Sequence, residues 1–483
     1  MTRDRHALAT KICKEYKQFW IIYKECAEVL ERRDDMKKYL AVFLVLMLLS
    51  GCGGKESSYA AEPETDIATM EQTEPTEELG CAGTDAMPWY NAEVTDFGLD
   101  LLRQSMETEK NALLSPASVY AILSMTANGA QGETLLQMER VLGRNLGALN
   151  DWYKKEMSKK SDHLHLSNAI FIKDDLELAV SESFIKTIEQ YYLGENYSSD
   201  VVRTLFNEYT ADGINQYVEN CTDGMIKNIV NEIPKEAVMY LINALAFEAR
   251  WANPYNEYQV SEQVFTTEDG REQTVELMYA EEYDVYIEDD LFTGFLKNYE
   301  GGRYAFAALL PKEGVTLEEL VDSLSGDAVA DLLNYFGEGK VLTAIPKFQT
   351  EFDMEMGDAL KTMGMTDAFD PYKADFSALA TYSGNNVFIN RVLHKTFISV
   401  AEQGTRAGAA TAVEMVAAGE MAPEEIKEVI LNRPFFYMIW DKETTMPIFM
   451  GTFMDAQAEG TSVPAETDEI FYSPAEDSCM IEG

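Results

Sequence analysis

Between two strongly apolar runs, Val387–Val400 and Val429–Phe453, lies a stretch of a different kind, Glu402 to Met421. From Gly404 to Ala412 every residue except Arg406 is Gly, Ala or Thr, so the segment has little apolar surface of its own to bury. Any fold this chain adopts must accommodate it. Three states are open to it: a flexible linker of small residues, an Ala-rich helix, or a strand slim enough to slip between two others. In a strand, alternate residues share a face. Thr405, Ala407, Ala409, Thr411, Val413 and Met415 would fall on one face, and Arg406, Gly408, Ala410, Ala412 and Glu414 on the other. Both charges share a side, and the opposite side grows more apolar toward its end. That suits a strand with one buried face.

The flanks narrow the choice. Downstream stand Val429-Ile430-Leu431-Asn432-Arg433-Pro434-Phe435-Phe436-Tyr437-Met438-Ile439 and Pro447-Ile448-Phe449-Met450-Gly451-Thr452-Phe453. Upstream, Glu402-Gln403-Gly404-Thr405 leads into the small residues. These resemble the signature, the C-terminal strand and the hinge of the serpin family. Further matches follow in family order. Asn111–Val119 closes a strand and opens a helix that Ser115 and Ser118 can cap, with Pro116 near its first turn. Ile214–Ile226 resembles the helix that lies across the serpin main sheet. Met239–Glu248 reads as an apolar strand ending in Phe247-Glu248-Ala249-Arg250-Trp251. Leu360–Phe369 with Ala374-Asp375-Phe376-Ser377, and then Val392-Leu393-His394-Lys395, complete the series, so the resemblance spans roughly residues 95–455.

The resemblance implies an α+β fold, with helices packed around a large central mixed sheet and two smaller sheets, and an exposed reactive-centre loop. It implies a suicide-substrate inhibitor of serine proteases. The target cuts the loop, the loop inserts into the main sheet, and the acyl-enzyme is distorted. By family position, Glu402, Gly404, Thr405, Ala407 and Ala409 form the hinge. Ser115, Ser118, Asn243 and His394 form the shutter, and Trp251 marks the breach. Arg406 departs from the family's usual Glu, on the face that parity leaves to solvent. The family's usual spacing from the hinge puts the cut at Ala418–Gly419. Counting back from Asn432-Arg433-Pro434 points further on, and Met415, Val416, Ala417 and Met421 stay open as alternatives. All are small or apolar, which suits the narrow pocket of an elastase-like protease and not an acidic trypsin-like one. A second reading stays open: a non-inhibitory surface protein of the same fold, acting as a binding module or a protease substrate.

Other parts of the chain bound its setting. Met36–Cys52 has a basic start, a short apolar run and the ending Leu49-Ser50-Gly51-Cys52. That is a secretory signal closing in a lipobox, with Cys52 as the lipidated residue, and the run is short for a membrane span. Residues 1–35 precede an ideal start at Met36 and read as an upstream start-site artefact. Residues 53–88 read as a disordered acidic tether, 89–456 as the folded domain, and 457–483 as a disordered acidic tail. The expected location is extracytoplasmic, as an envelope lipoprotein or a secreted protein, and the expected state is a monomer. A net charge of −44 argues against nucleic acid as a partner. Cys13, Cys26, Cys52, Cys81, Cys221 and Cys479 show no metal spacing, and no structural disulfide is expected. No enzyme site is legible. His163 and His165 lack a third metal ligand, Gly337-Glu338-Gly339-Lys340 is not a phosphate loop, and no G-x-S-x-G elbow occurs. No cofactor or metal is expected.

Overall fold

A computed structural model describes residues 91–107, 110–157, 161–192, 198–233, 237, 239–334, 337, 339–383, 385–405 and 426–464. All described residues belong to one compact unit.

The first helix, α1 (Ala92–Ser105), buries Val94, Phe97, Leu101 and Leu102, the spacing of one helical face. It crosses α2 (Pro116–Ala127) closely at Gly98, where a Cβ would stand 2.5 Å from Pro116 Cγ. Every residue of α2 is buried, so it is a core helix rather than a surface one. Two of its hydroxyls bond back onto the helix itself: Ser124 Oγ donates to Tyr120 O (2.7 Å) and Thr126 Oγ1 to Ile122 O (2.8 Å).

The main sheet has β5 (Met239–Phe247) near its centre. On one side of it lie β2 (Leu164–Lys173) and β4 (Ser198–Thr204); on the other, β16 (Val392–Ala401) and β13 (Phe348–Glu355). β5 is antiparallel to β2 and parallel to β16, which makes the sheet mixed. Apart from Asn243, its apolar sequence follows from burial on both faces. Met239, Leu241, Leu245 and Phe247 join the large core that holds α2, while Tyr240, Ile242, Ala244 and Ala246 pack with Ile214, Tyr217 and Val218 of α3 (Thr210–Cys221).

Two further sheets complete the layers. One runs β1 (Ala112–Leu114), β20 (Met446–Phe453), β19 (Phe435–Asp441), β11 (Tyr304–Pro311), β10 (Phe292–Asn298) and β9 (Tyr286–Glu288). The other runs β18 (Lys427–Ile430), β12 (Lys340–Pro346), β8 (Glu272–Tyr283) and β7 (Val260–Thr266). A small three-stranded sheet joins β15 (Asn385–Asn386), β14 (Ala380–Tyr382) and β3 (Leu178–Val180). The architecture is the expected α+β one, with one sheet more.

β12 ends at Pro346, which has no N–H to continue a ladder, and β13 starts at Phe348. Two expectations need correction. Residues 457–464, read as the start of a disordered tail, instead turn back along the main sheet, and β21 (Thr461–Ser462) pairs with Gln349 and Thr350 of β13. Edge pairing uses backbone groups, so a polar sequence gives no sign of it. Cys221, at the end of α3, is disulfide-bonded, against the expectation of no disulfide. Spacing along the chain sets no limit on which cysteines meet in space.

Candidate functional site

The main sheet is forked. Over Val392–Phe397, β16 pairs directly with Leu241–Ala246 of β5. Beyond Phe397 the two strands part. Into the gap enters β17 (Gly404–Thr405), antiparallel to Val400–Ala401 on one side and to β6 (Ala249–Arg250) on the other. The chain reaches this wedge by a tight reversal at Glu402-Gln403. Gly404 has φ +152°, and a Cβ there would collide with the Ala249 carbonyl and stand 2.7 Å from Arg250 Cα. No larger residue fits.

Three successive carbonyls of the reversal are each held. Trp251 Nε1 donates to Ala401 O, the Tyr255 N–H to Glu402 O and the Trp251 N–H to Gln403 O, all at 2.9 Å. Thr405 is fully buried, and its hydroxyl meets the Tyr299 hydroxyl at 2.7 Å. Tyr299 in turn stacks on Trp251, centroids 4.4 Å apart and planes 15° from parallel. Burial pushes the Tyr299 phenol well above its usual range, so it stays a neutral hydrogen-bonding group. Two lysines brace the hinge from below. Lys347 bridges Glu402 (2.8 Å) and Glu276 (3.3 Å). Burial works against the Lys347 cation, but the two carboxylates outweigh it and raise its pKa. Lys297 is buried, paired with Glu282 at 2.6 Å, and lies 4.4 Å from the centre of the Tyr255 ring. There burial prevails and lowers the lysine pKa despite Glu282.

Below the fork, where β16 and β5 are still joined, a polar network sits in the apolar core. Ser115 caps α2 by accepting from the Ser118 N–H (3.3 Å), with Pro116 in the first turn. The Ser115 N–H points at His394 Nε2 (3.1 Å), which must therefore be the acceptor nitrogen. Nδ1 then carries the proton and donates to Asn243 Oδ1 at 2.6 Å. With its oxygen so occupied, Asn243 donates through Nδ2 to Ser118 Oγ and to Asn168 Oδ1, both at 2.5 Å. His394 is neutral, with burial pushing its pKa down to about 3. Thr396 Oγ1 ties the next outward turn of β16 to Leu113 O at 2.8 Å.

The fold thus brings together Ser115, Ser118, Asn243 and His394 in one network, and Glu402, Gly404, Thr405 and Trp251 in another. Ala407, Ala409, Met415–Met421 with Ala418 and Gly419, and Cys52 lie outside the described residues. Past the loop, β18 runs parallel to β12, and Lys427 reaches Glu288 (3.1 Å) over the Tyr286 ring. Sequence reasoning missed Asn168, Tyr299, Lys297 and Lys347. The available signal was polarity out of place: Asn168 in the apolar run Leu164–Ile172, and Lys297 after Phe295-Leu296. His163 and His165 do not form a joint site. His163 Nδ1 lies 2.9 Å from Glu248 O, and His165 pairs with Asp223 at 2.9 Å.

Residues 92–456 match the family model described as serpin, serine protease inhibitor. An uncharacterized serpin-like protein of Thermococcus kodakarensis is 30% identical over 433 residues, covering 86% of this chain and 98% of that protein. Thyroxine-binding globulin of Rattus norvegicus is 30% identical over 394 residues, covering 77% and 90%. The crystal structure of the thermophilic serpin tengpin in its native state superposes with a TM-score of 0.71 at 40% identity, over 75% of this chain and 93% of tengpin. On the length matched by the model and the extent of these relatives, the chain belongs to the serpin family.

Proposed function

We propose that this protein inhibits serine proteases by trapping them: the loop is cut, its hinge side enters the main sheet, and the acylated protease is carried with it. The family as a whole is one of serine protease inhibitors rather than catalysts. The observation that carries the finer reading is the fork, already seeded by Gly404 and Thr405 and followed by small residues. Insertion breaks one ladder, Val392–Phe397 against Leu241–Ala246, and forms two, because the new strand pairs on both sides. A cut near Ala418 frees residues 406–418 to descend roughly 43 Å as a strand, at ~3.3 Å per residue. The protease supplies its own nucleophile. Ala418–Gly419, with Met415, Val416, Ala417 and Met421 beside it, suits an elastase-like pocket. Mixing the protein with such a protease should give a complex that survives denaturant, with the loop severed in this window by mass spectrometry. Cleavage without any stable complex, across a panel of small-pocket proteases, would sink the reading. The second reading, a non-inhibitory member, is favoured by one observation: a 30% identical relative is named for binding thyroxine.

The setting we infer from Met36–Cys52 is the outer face of a membrane, with Cys52 lipidated, residues 53–88 as a tether and the domain acting as a monomer. Cys52→Ala should abolish metabolic labelling with radioactive palmitate and release the protein or leave its precursor uncut. Undiminished labelling would reject the anchor.

A further inference from the structure

One buried donor is left over in the polar network below the fork. Asn168 is fully buried on β2, and its Nδ2 finds no partner among the described residues. Such a group costs stability, and native cores rarely carry one without a reason. Its orientation is forced, not free. The Ser115 N–H fixes the His394 tautomer, the tautomer fixes the Asn243 oxygen toward His394, and the Asn243 nitrogen then claims Asn168 Oδ1. Asn168 and Asn243 stand directly opposite each other on antiparallel strands, so their side chains share a face. Two primary amides so placed can make two reciprocal bonds. Only one is made, because Asn243 Oδ1 is held by His394.

We propose that Asn168 is a positioning residue for loop insertion, whose idle N–H closes onto Asn243 Oδ1 when the sheet opens and His394 withdraws. The inference rests on the trapping mechanism proposed above. His394 and Asn243 are direct neighbours across β16 and β5. A strand inserted between them moves their backbones to about 9.6 Å apart, twice the ordinary strand spacing, and no 2.6 Å contact survives that. Asn243 then has a bare buried oxygen beside a bare buried N–H. The second amide bond satisfies both with little movement. The polar cost of opening is thereby met within the half of the sheet that does not move away, on β2 and β5. Asn168 thus penalises the closed sheet and rewards the open one.

The test compares intact and loop-cut protein, wild type and Asn168→Ala, by thermal melting at one scan rate. A loop-cutting protease provides the cut form. In the intact protein the substitution loses one bond and exchanges the Asn168 orphan for one unpaired Asn243 N–H, so the melting temperature falls only modestly. In the cut protein it loses two bonds and strands the Asn243 oxygen. The preference for the inserted state should fall by about 5- to 10-fold per bond, so the melting gain on cutting should shrink. Equal gains in wild type and variant would overturn the role of Asn168 and leave the trapping mechanism standing. No gain in wild type would overturn both. Should the variant not fold, a crystal structure of cut wild type decides. Asn168 Nδ2 within about 3.2 Å of Asn243 Oδ1 upholds the inference, and Nδ2 still unpaired ends it.

Discussion

Thr405 is where the chain commits to one behaviour. Its buried hydroxyl rests on Tyr299, with the Trp251 stack behind it. Thr405→Arg would set a cation against the Tyr299 and Trp251 rings, a cost that unseats the seeded strand from the fork and slows insertion of the residues behind it. The cut loop would then lag behind deacylation. The variant should be cleaved at a normal rate yet form at least tenfold less denaturant-resistant complex; complex yield equal to wild type would remove the hinge from the mechanism. Arg406→Glu, on the outward face by parity, should inhibit nearly as wild type does. His394 makes a separate prediction. Its folded pKa, about 3, lies below the unfolded value, about 6.5. The unfolded state therefore binds the proton first as pH falls. The stabilising contribution is fully present above pH ~6.5 and is lost on the way down toward pH ~3, at up to about 1.4 kcal/mol per pH unit. Urea midpoints between pH 7 and 4 should fall along that slope, and His394→Gln should flatten it. At this scale the sequence was legible where a motif names a residue, as with Ser115, Asn243, His394 and Trp251. Asn168, Tyr299, Lys297 and Lys347 were not, because what marks them is burial beside a partner far along the chain.

At the scale of elements, parity read the small-residue segment as a strand with one buried face, and its first two residues, Gly404 and Thr405, do pair as a strand with both neighbours. The alternation on β5 could not be read, because burial on both faces leaves apolar residues on each side of the strand, and its one polar residue, Asn243, is buried too. The C-terminal strap was misread for the opposite reason: it is polar and acidic, yet backbone and small-residue geometry seat it. Glu351 N donates to Gly460 O (2.9 Å), Gly460 has φ +79° with Glu351 O 2.6 Å from where a Cβ would be, and Asn111 Nδ2 reaches Thr461 Oγ1 at 2.8 Å. The strap covers part of the open edge of β13, where an unpaired strand invites further pairing. Deleting residues 457–483 removes these bonds and should cost about 1–3 kcal/mol, a fall of a few degrees in melting temperature. An unchanged melt would mean that the strap follows the fold without contributing to it.

Across the whole molecule, the trapping proposed from the fork at β16 and β5 would separate this protein from a catalyst in its economy of use. A catalyst returns to its starting state; a sheet that has traded one ladder for two has no downhill route back. Under the proposed trapping each copy would act once, and a spent copy would be the most durable form of the chain. The capacity of such a system would be set by how many molecules are present when the protease arrives, not by how long they have to work. A cell relying on such trapping would have to replace the protein at the rate it is attacked, and the filled sheets would keep a lasting tally of past encounters.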